Sequence, residues 1–152
     1  MKQDAIISKC SKYRYSLSRE WDNTKDRVLF IMLNPSKADD KIDDPTVRRC
    51  ICFAKNWGFG GLLIGNLFAY RTTYPKELFK TKNPEGKDNL KFLKKMIKIS
   101  SLTICAWGNK KGLPPKYLQE ITDLYYLKIL SDGKTPGHPL RLKKDIKPKK
   151  FF

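Results

Sequence analysis

The sequence predicts an α/β domain of three layers (αβα), in which helices cover both faces of a central, mainly parallel four-stranded sheet. Four apolar runs of strand length recur along the 152 residues. Helical patterns lie between these runs, and such alternation is typical of βαβ units. The length fits a single domain over residues 1–152, with residues 1–26 as an N-terminal extension or hairpin and residues 141–152 as a solvated basic tail.

The first two elements frame a polar turn. The apolar run 27–33 predicts a buried parallel strand, and it ends at Asn34-Pro35-Ser36 because Pro35 cannot donate to a β-ladder. A helix is then expected from Asp44 as N-cap and Pro45 as its first residue.

The later elements repeat this order. A second strand is expected over residues 62–68, a helix over 88–99, and further strands over 102–107 and 124–130. Turn residues follow, and then His138-Pro139-Leu140.

The charge indicates a polyanionic partner. The chain carries 32 basic and 15 acidic residues, a net charge of +17. Nucleic acid is the first candidate, and the alternative is a lysine-rich surface that serves solubility alone. The residues expected to contact a nucleic-acid backbone are Lys37, Arg48, Arg49, Lys110, Lys111 and Arg141.

The cysteines favour a reduced compartment and no metal. None of the four lies in a C-x-x-C pair, and Cys50 and Cys105 fall inside apolar runs, so we expect buried free thiols. No signal peptide is evident, and no apolar run approaches the ~18 residues of a membrane span. We therefore expect a cytoplasmic protein without membrane contact, in a cell or in a virus-infected cell. We also expect a monomer.

The candidate catalytic residues are Asn34 and His138. The carboxyl ends of parallel strands meet at one edge of a sheet, where ligands bind. Asn34 could hold a water or contact a base edge, and the alternative is an asparagine that caps a turn. His138 is the only histidine and could donate to a developing negative charge, and the alternative is a structural histidine in a turn.

Other polar and aromatic residues follow the same strand ends. Asp43 and Asp44 could be general bases or metal ligands, although for Asp44 we favour the helix cap. Phe68 could stack on a base, but core packing is the preferred interpretation. The residues expected to bind substrate are Pro35, Ser36, Asn66, Phe68, Tyr70, Arg71, Gly108 and Asn109.

In order and spacing, residues 27–140 resemble the uracil-DNA glycosylase superfamily, especially its mismatch-specific branch. They are also similar to a widespread uncharacterised family of bacteria and phages with the same landmarks. The resemblance implies that Asn34 positions the attacking water, that Asn66 reads the base and that His138 stabilises the departing base. Leu33 and Ser36 stand where many members have glycine, and Leu140 stands where the histidine motif has serine. Iron–sulfur ligand spacing is absent, so no cofactor is expected.

The function that follows is that of a DNA glycosylase-like hydrolase. It would bind single- or double-stranded DNA and hydrolyse the N-glycosidic bond of a flipped uracil or modified base. Two alternatives stay open because a fold does not fix a function. One is a catalytically silent binder of nucleic acid or nucleotide, and the other is an enzyme acting on free nucleotides or on modified bases of phage DNA.

Overall fold

A single seven-stranded sheet organises the chain. The computed structural model describes residues 1–152, and the strand order in the sheet is β1-β2-β4-β3-β5-β6-β7. The strands are β1 (Lys2–Ile7), β2 (Arg14–Glu20), β3 (Arg27–Met32), β4 (Gly61–Asn66), β5 (Leu102–Cys105), β6 (Tyr125–Tyr126) and β7 (Lys149–Lys150). The helices are α1 (Pro45–Asn56), α2 (Asn89–Ile99) and α3 (Lys116–Gln119), with short 3-10 helices at Pro75–Phe79 and Pro139–Arg141.

The predicted four-stranded, mainly parallel sheet is wrong. The sheet is mixed: β4, β3, β5 and β6 pair in parallel, whereas β1 with β2, β2 with β4, and β6 with β7 pair antiparallel. The added strands carry weak signals, because β1 is mostly exposed, β2 has mainly polar residues and β7 has two residues. The fourth apolar run, 124–130, forms only the two-residue strand β6.

Strand β3 lies at the centre and divides the core into two clusters. Because side chains alternate along a strand, Val28 and Phe30 pack with α1, whereas Leu29 and Ile31 pack with α2. The two long helices therefore cover opposite faces of the sheet.

Helix α1 begins as predicted. The Asp44 side chain accepts the Val47 N–H at 2.9 Å, and Pro45 occupies the first turn. This cap fixes where the segment between β3 and α1 ends, and that segment forms one wall of the cavity described below.

The expectation of a solvated basic tail is wrong at its end. The Phe151 N–H donates to the Leu124 carbonyl at 2.8 Å, and the Phe151 ring is only 7% exposed. Burial of this apolar ring is favourable in free energy, so the end of the chain packs on the fold although the preceding residues are lysines. No helix has the length and apolar character needed to cross a membrane.

Candidate active site

A cavity of about 160 Å³ opens at the carboxyl ends of β3, β4 and β5. Both predicted catalytic residues, Asn34 and His138, line it, together with Asn66 and Asn109. An engineered cavity of about 150 Å³ holds one benzene molecule, so this cavity is sized for a single six-membered ring. Pro35 and Ser36 lie on the same wall.

Asn34 has a fixed amide. Its Nδ2 donates to the Thr72 carbonyl at 2.8 Å and to the Pro35 carbonyl at 3.1 Å. Because both partners are acceptors, the nitrogen must face them, and Oδ1 is left as a free acceptor. The residue is half-buried, so this oxygen can hold a water or a ligand hydroxyl in one orientation.

Asn66, the last residue of β4, is the most unusual polar group of the site. It is 2% exposed, and neither Oδ1 nor Nδ2 has a hydrogen-bond partner. Buried amides are almost always paired, because an unpaired one loses its hydration without compensation. Since Asn66 lines the cavity, a ligand there can supply both missing hydrogen bonds.

His138 presents one defined nitrogen. Its Nδ1 accepts the Leu140 N–H at 3.3 Å, so in the neutral ring the proton resides on Nε2. Burial lowers the pKa of His138, although the Asp44 carboxylate opposes that shift. The neutral imidazole is therefore favoured at neutral pH, with Nε2–H as its hydrogen-bond donor.

Gly108 brings the segment after β5 against His138. Its φ is +59°, and a Cβ at this position would lie 3.3 Å from the His138 Cβ. The next two residues, Asn109 and Lys110, also have positive φ values, of 53° and 54°. A positive φ is unfavourable for residues other than glycine, and this conformation is often found at functional sites.

Two further charged residues line the cavity. Asp44 does so in addition to capping α1, which was the favoured interpretation of its sequence position. Arg14, the first residue of β2, is 3% exposed and was missed by the sequence analysis. The only sequence signal was an arginine inside the aromatic pattern of the N-terminal segment.

Four predicted substrate-binding residues do not line this cavity, namely Gly108, which packs against His138, and Phe68, Tyr70 and Arg71. Phe68 lines a neighbouring apolar groove of about 250 Å³, where the Lys111 ammonium lies 5.1 Å from its ring centre. Tyr70 packs edge-to-face on Tyr13, and Arg71 donates to the Ser36 and Ser11 carbonyls. Tyr70 and Arg71 therefore hold loops around the cavity rather than lining it.

The residues predicted to contact a nucleic-acid backbone divide into two groups. Arg49 donates to the Leu142 carbonyl and lies 5.1 Å from the Phe53 ring centre, so its guanidinium is engaged within the fold. The remaining five are exposed, namely Lys37, Arg48, Lys110, Lys111 and Arg141. Lys37 and Lys110 directly follow residues that line the cavity, which places positive charge at its mouth.

No three histidine, cysteine, aspartate or glutamate side chains come together in a group that could hold a metal ion. Cys50 and Cys105 are buried free thiols, as predicted, and burial raises the pKa of each. Neither thiol lies at the cavity.

One protein-family model matches residues 14–148, described as a protein of unknown function, DUF1643. The chain belongs to the DUF1643 family. The matched segment of this DUF1643 protein includes every cavity residue discussed above, from Arg14 to His138. No curated protein and no solved structure matches the chain.

Proposed function

We propose that this DUF1643 protein is a DNA glycosylase-like hydrolase that takes a flipped pyrimidine-type base into the cavity. The buried, unpaired amide of Asn66 is the observation that carries the proposal. One edge of a pyrimidine base presents a donor and an acceptor side by side. The carbonyl oxygen and the nitrogen of an asparagine amide can pair with both at once. No protein partner fixes this amide, so either order of donor and acceptor can be accommodated.

In the proposed reaction, water held by the free Oδ1 of Asn34 attacks C1′ of the sugar. The bond between C1′ and the base nitrogen breaks, and its electron pair leaves with the base. Asp44, on the same cavity wall, accepts the proton that the water loses. The Nε2–H of His138 donates to the base oxygen on which negative charge develops.

The surface around the cavity supports a DNA partner. The exposed Lys37 and Lys110 directly follow residues that line the cavity, and the chain has a net charge of +17. Flipping removes a base from its stack and leaves the flanking phosphates near these cations. The neighbouring groove adds Phe68 and the 92% exposed Phe79 as surfaces on which a flanking base can stack. The cytoplasmic location and the monomeric state remain predictions.

The test is formation of abasic sites. Labelled single- and double-stranded oligonucleotides carrying uracil, a mismatch or a modified pyrimidine are incubated with the protein and cleaved with alkali. The proposal expects strand breaks at one of these bases. Asn34→Ala and His138→Ala should each reduce the rate by about 100-fold or more. The control is Asn56→Ala, an exposed asparagine at the end of α1.

Two results would contradict hydrolysis. The first is no abasic site on any substrate, with DNA binding that weakens steeply with salt, which would instead indicate the silent binder. The second is activity that Asn34→Ala leaves unchanged.

A further inference from the structure

Arg14 is a buried cation without a carboxylate partner. Its side chain lines the cavity and is nearly inaccessible, with 3% of the residue exposed. Nη1 donates to the Ala38 carbonyl at 3.1 Å, and Nε has no hydrogen-bond partner. The protein's ion pairs are formed by Arg19, Lys25, Arg27 and Lys150, and none includes Arg14.

The surroundings do not neutralise this charge. Arg71 and Arg19 lie near enough to repel the Arg14 guanidinium, while Asp44 and Asp39 attract it. Asp44 is the carboxylate that lines the cavity; its Oδ1 accepts the Val47 N–H, and it forms no ion pair or hydrogen bond with Arg14. Burial lowers the pKa of Arg14 to about 10, so the side chain remains cationic at neutral pH.

A buried charge of this kind destabilises a fold unless something pairs with it. A planar guanidinium can donate in parallel to two oxygens of a carboxylate or phosphate, with which it forms short, charge-assisted hydrogen bonds. Because Arg14 and the unpaired amide of Asn66 line the same cavity of about 160 Å³, one ligand can reach both groups.

We propose that Arg14 makes this cavity an oxyanion-binding site, so that its preferred ligand is a pyrimidine-type ring carrying a carboxylate or phosphate group. This inference rests on the proposed function only in taking a pyrimidine-type ring as the group that fills the cavity. It adds that the ligand is anionic. The oxyanion is either a substituent on the ring or the phosphate of a nucleotide.

Calorimetric titration of the full chain with matched ligand pairs tests the proposal and separates the two sources. One pair is 5-carboxyuracil and 5-hydroxymethyluracil, and the other is uridine 5′-monophosphate and uridine. The anionic member of at least one pair should bind about tenfold more tightly or better, as expected for a charge-assisted hydrogen bond in a buried site. A preference in the first pair indicates a ring carboxylate, and a preference in the second indicates a phosphate.

Variants then assign the preference to one side chain. Arg14→Gln should abolish the preference for the anionic ligand, and Arg14→Lys should retain part of it because it keeps the charge. Lys98→Gln is the control, since it removes one positive charge from the far end of the sheet, beside Arg27 and Ser101. If Arg14→Gln does not fold, the ligand pairs on the wild type and on Arg14→Lys still decide the question.

The proposal is overturned if the wild type shows no preference for the anionic member in either pair, or if a preference that it does show persists in Arg14→Gln. These results are distinct from failure of the glycosylase proposal. Anion preference without abasic sites would remove the hydrolysis and leave the oxyanion site. Abasic sites without anion preference would support the hydrolysis and remove the oxyanion site.

Discussion

Strand β2 has a buried arginine near each end, and the two guanidinium groups differ in their hydrogen-bond and ionic partners. Arg19, opposite Leu62 near the start of β4, is fully buried and donates from Nε to Asp43 at 2.8 Å and from Nη1 to the Ser18 carbonyl at 2.8 Å. Arg14 lies past the carboxyl end of β4, where its N–H donates to the Ala69 carbonyl, and its guanidinium is left partly unpaired at the cavity. The Arg19 guanidinium is therefore satisfied within the fold, whereas the Arg14 guanidinium keeps a buried donor for a ligand in the cavity.

The largest effect is expected from removing the paired arginine. Arg19→Met leaves the partly exposed Asp43 and several carbonyls without their donor, so the free energy of unfolding should fall by about 3 kcal/mol. Arg14→Met removes a charge without an ionic partner, and its free energy of unfolding should change by less than about 1 kcal/mol. Urea unfolding measures both, and an equal loss in the two variants would contradict the comparison.

Two buried asparagines provide the next test. Asn66→Leu removes an unpaired amide, so it should leave the protein as stable as the wild type or more stable by up to about 2 kcal/mol, while ligand binding is lost. Asn89→Leu should instead destabilise the protein by about 2 kcal/mol, because the Asn89 Nδ2 donates to the Asn66 and Leu67 carbonyls. Thermal unfolding distinguishes them, and a strongly destabilised Asn66→Leu would mean that its amide serves the fold.

Asp44 caps α1 and also lines the cavity, where we propose that it accepts a proton; two substitutions separate these roles. Asp44→Ser keeps an N-cap and should preserve stability while lowering activity, because no carboxylate remains in the cavity. Asp44→Ala should lower activity equally and also lose about 1 kcal/mol of stability. If Asp44→Ser retains full turnover of the oligonucleotide substrate, the carboxylate is only a cap.

The smallest expected effect is the pH dependence due to His138. Its pKa is lowered in the folded protein, so the unfolded chain binds the proton more readily. Stability should therefore be full above the unfolded pKa of about 6.5 and should decline as the pH falls below it. Because His138 is the only histidine, His138→Gln should remove this decline between about pH 7 and 5.5 in urea unfolding. A decline that persists in the variant would contradict the assignment.

The sequence predicted the part of the site that follows the central strands. The predicted strands 27–33 and 62–68 correspond to β3 and β4, although β4 ends at Asn66, two residues earlier than predicted. The carboxyl ends of parallel strands meet, so Asn34 and Asn66 line one cavity. The helix cap at Asp44 was likewise predictable from Asp-Pro. These features depend on local patterns of a few residues.

The sequence could not predict what depends on distant pairing. Strand β2 joins the sheet only through β4, some 45 residues later, and its partly polar pattern gave no hint that Arg14 would be buried. The paired β7 and the buried Phe151 also depend on contacts with β6. The hydrogen bonding of the side chains could not be predicted either. Nothing in the sequence distinguishes Asn66, whose amide is unpaired, from Asn89, whose Nδ2 donates to two carbonyls.

The central claim is that the Asn66 side chain is left unpaired for a ligand. Nitrogen NMR of the side-chain amides tests it directly, with the Asn66 and Asn89 signals assigned from the two leucine variants. On addition of the oligonucleotide or pyrimidine that the protein binds, the Asn66 amide protons should shift and exchange more slowly, while those of Asn89 stay in place. Binding that leaves the Asn66 signals unchanged would contradict the account.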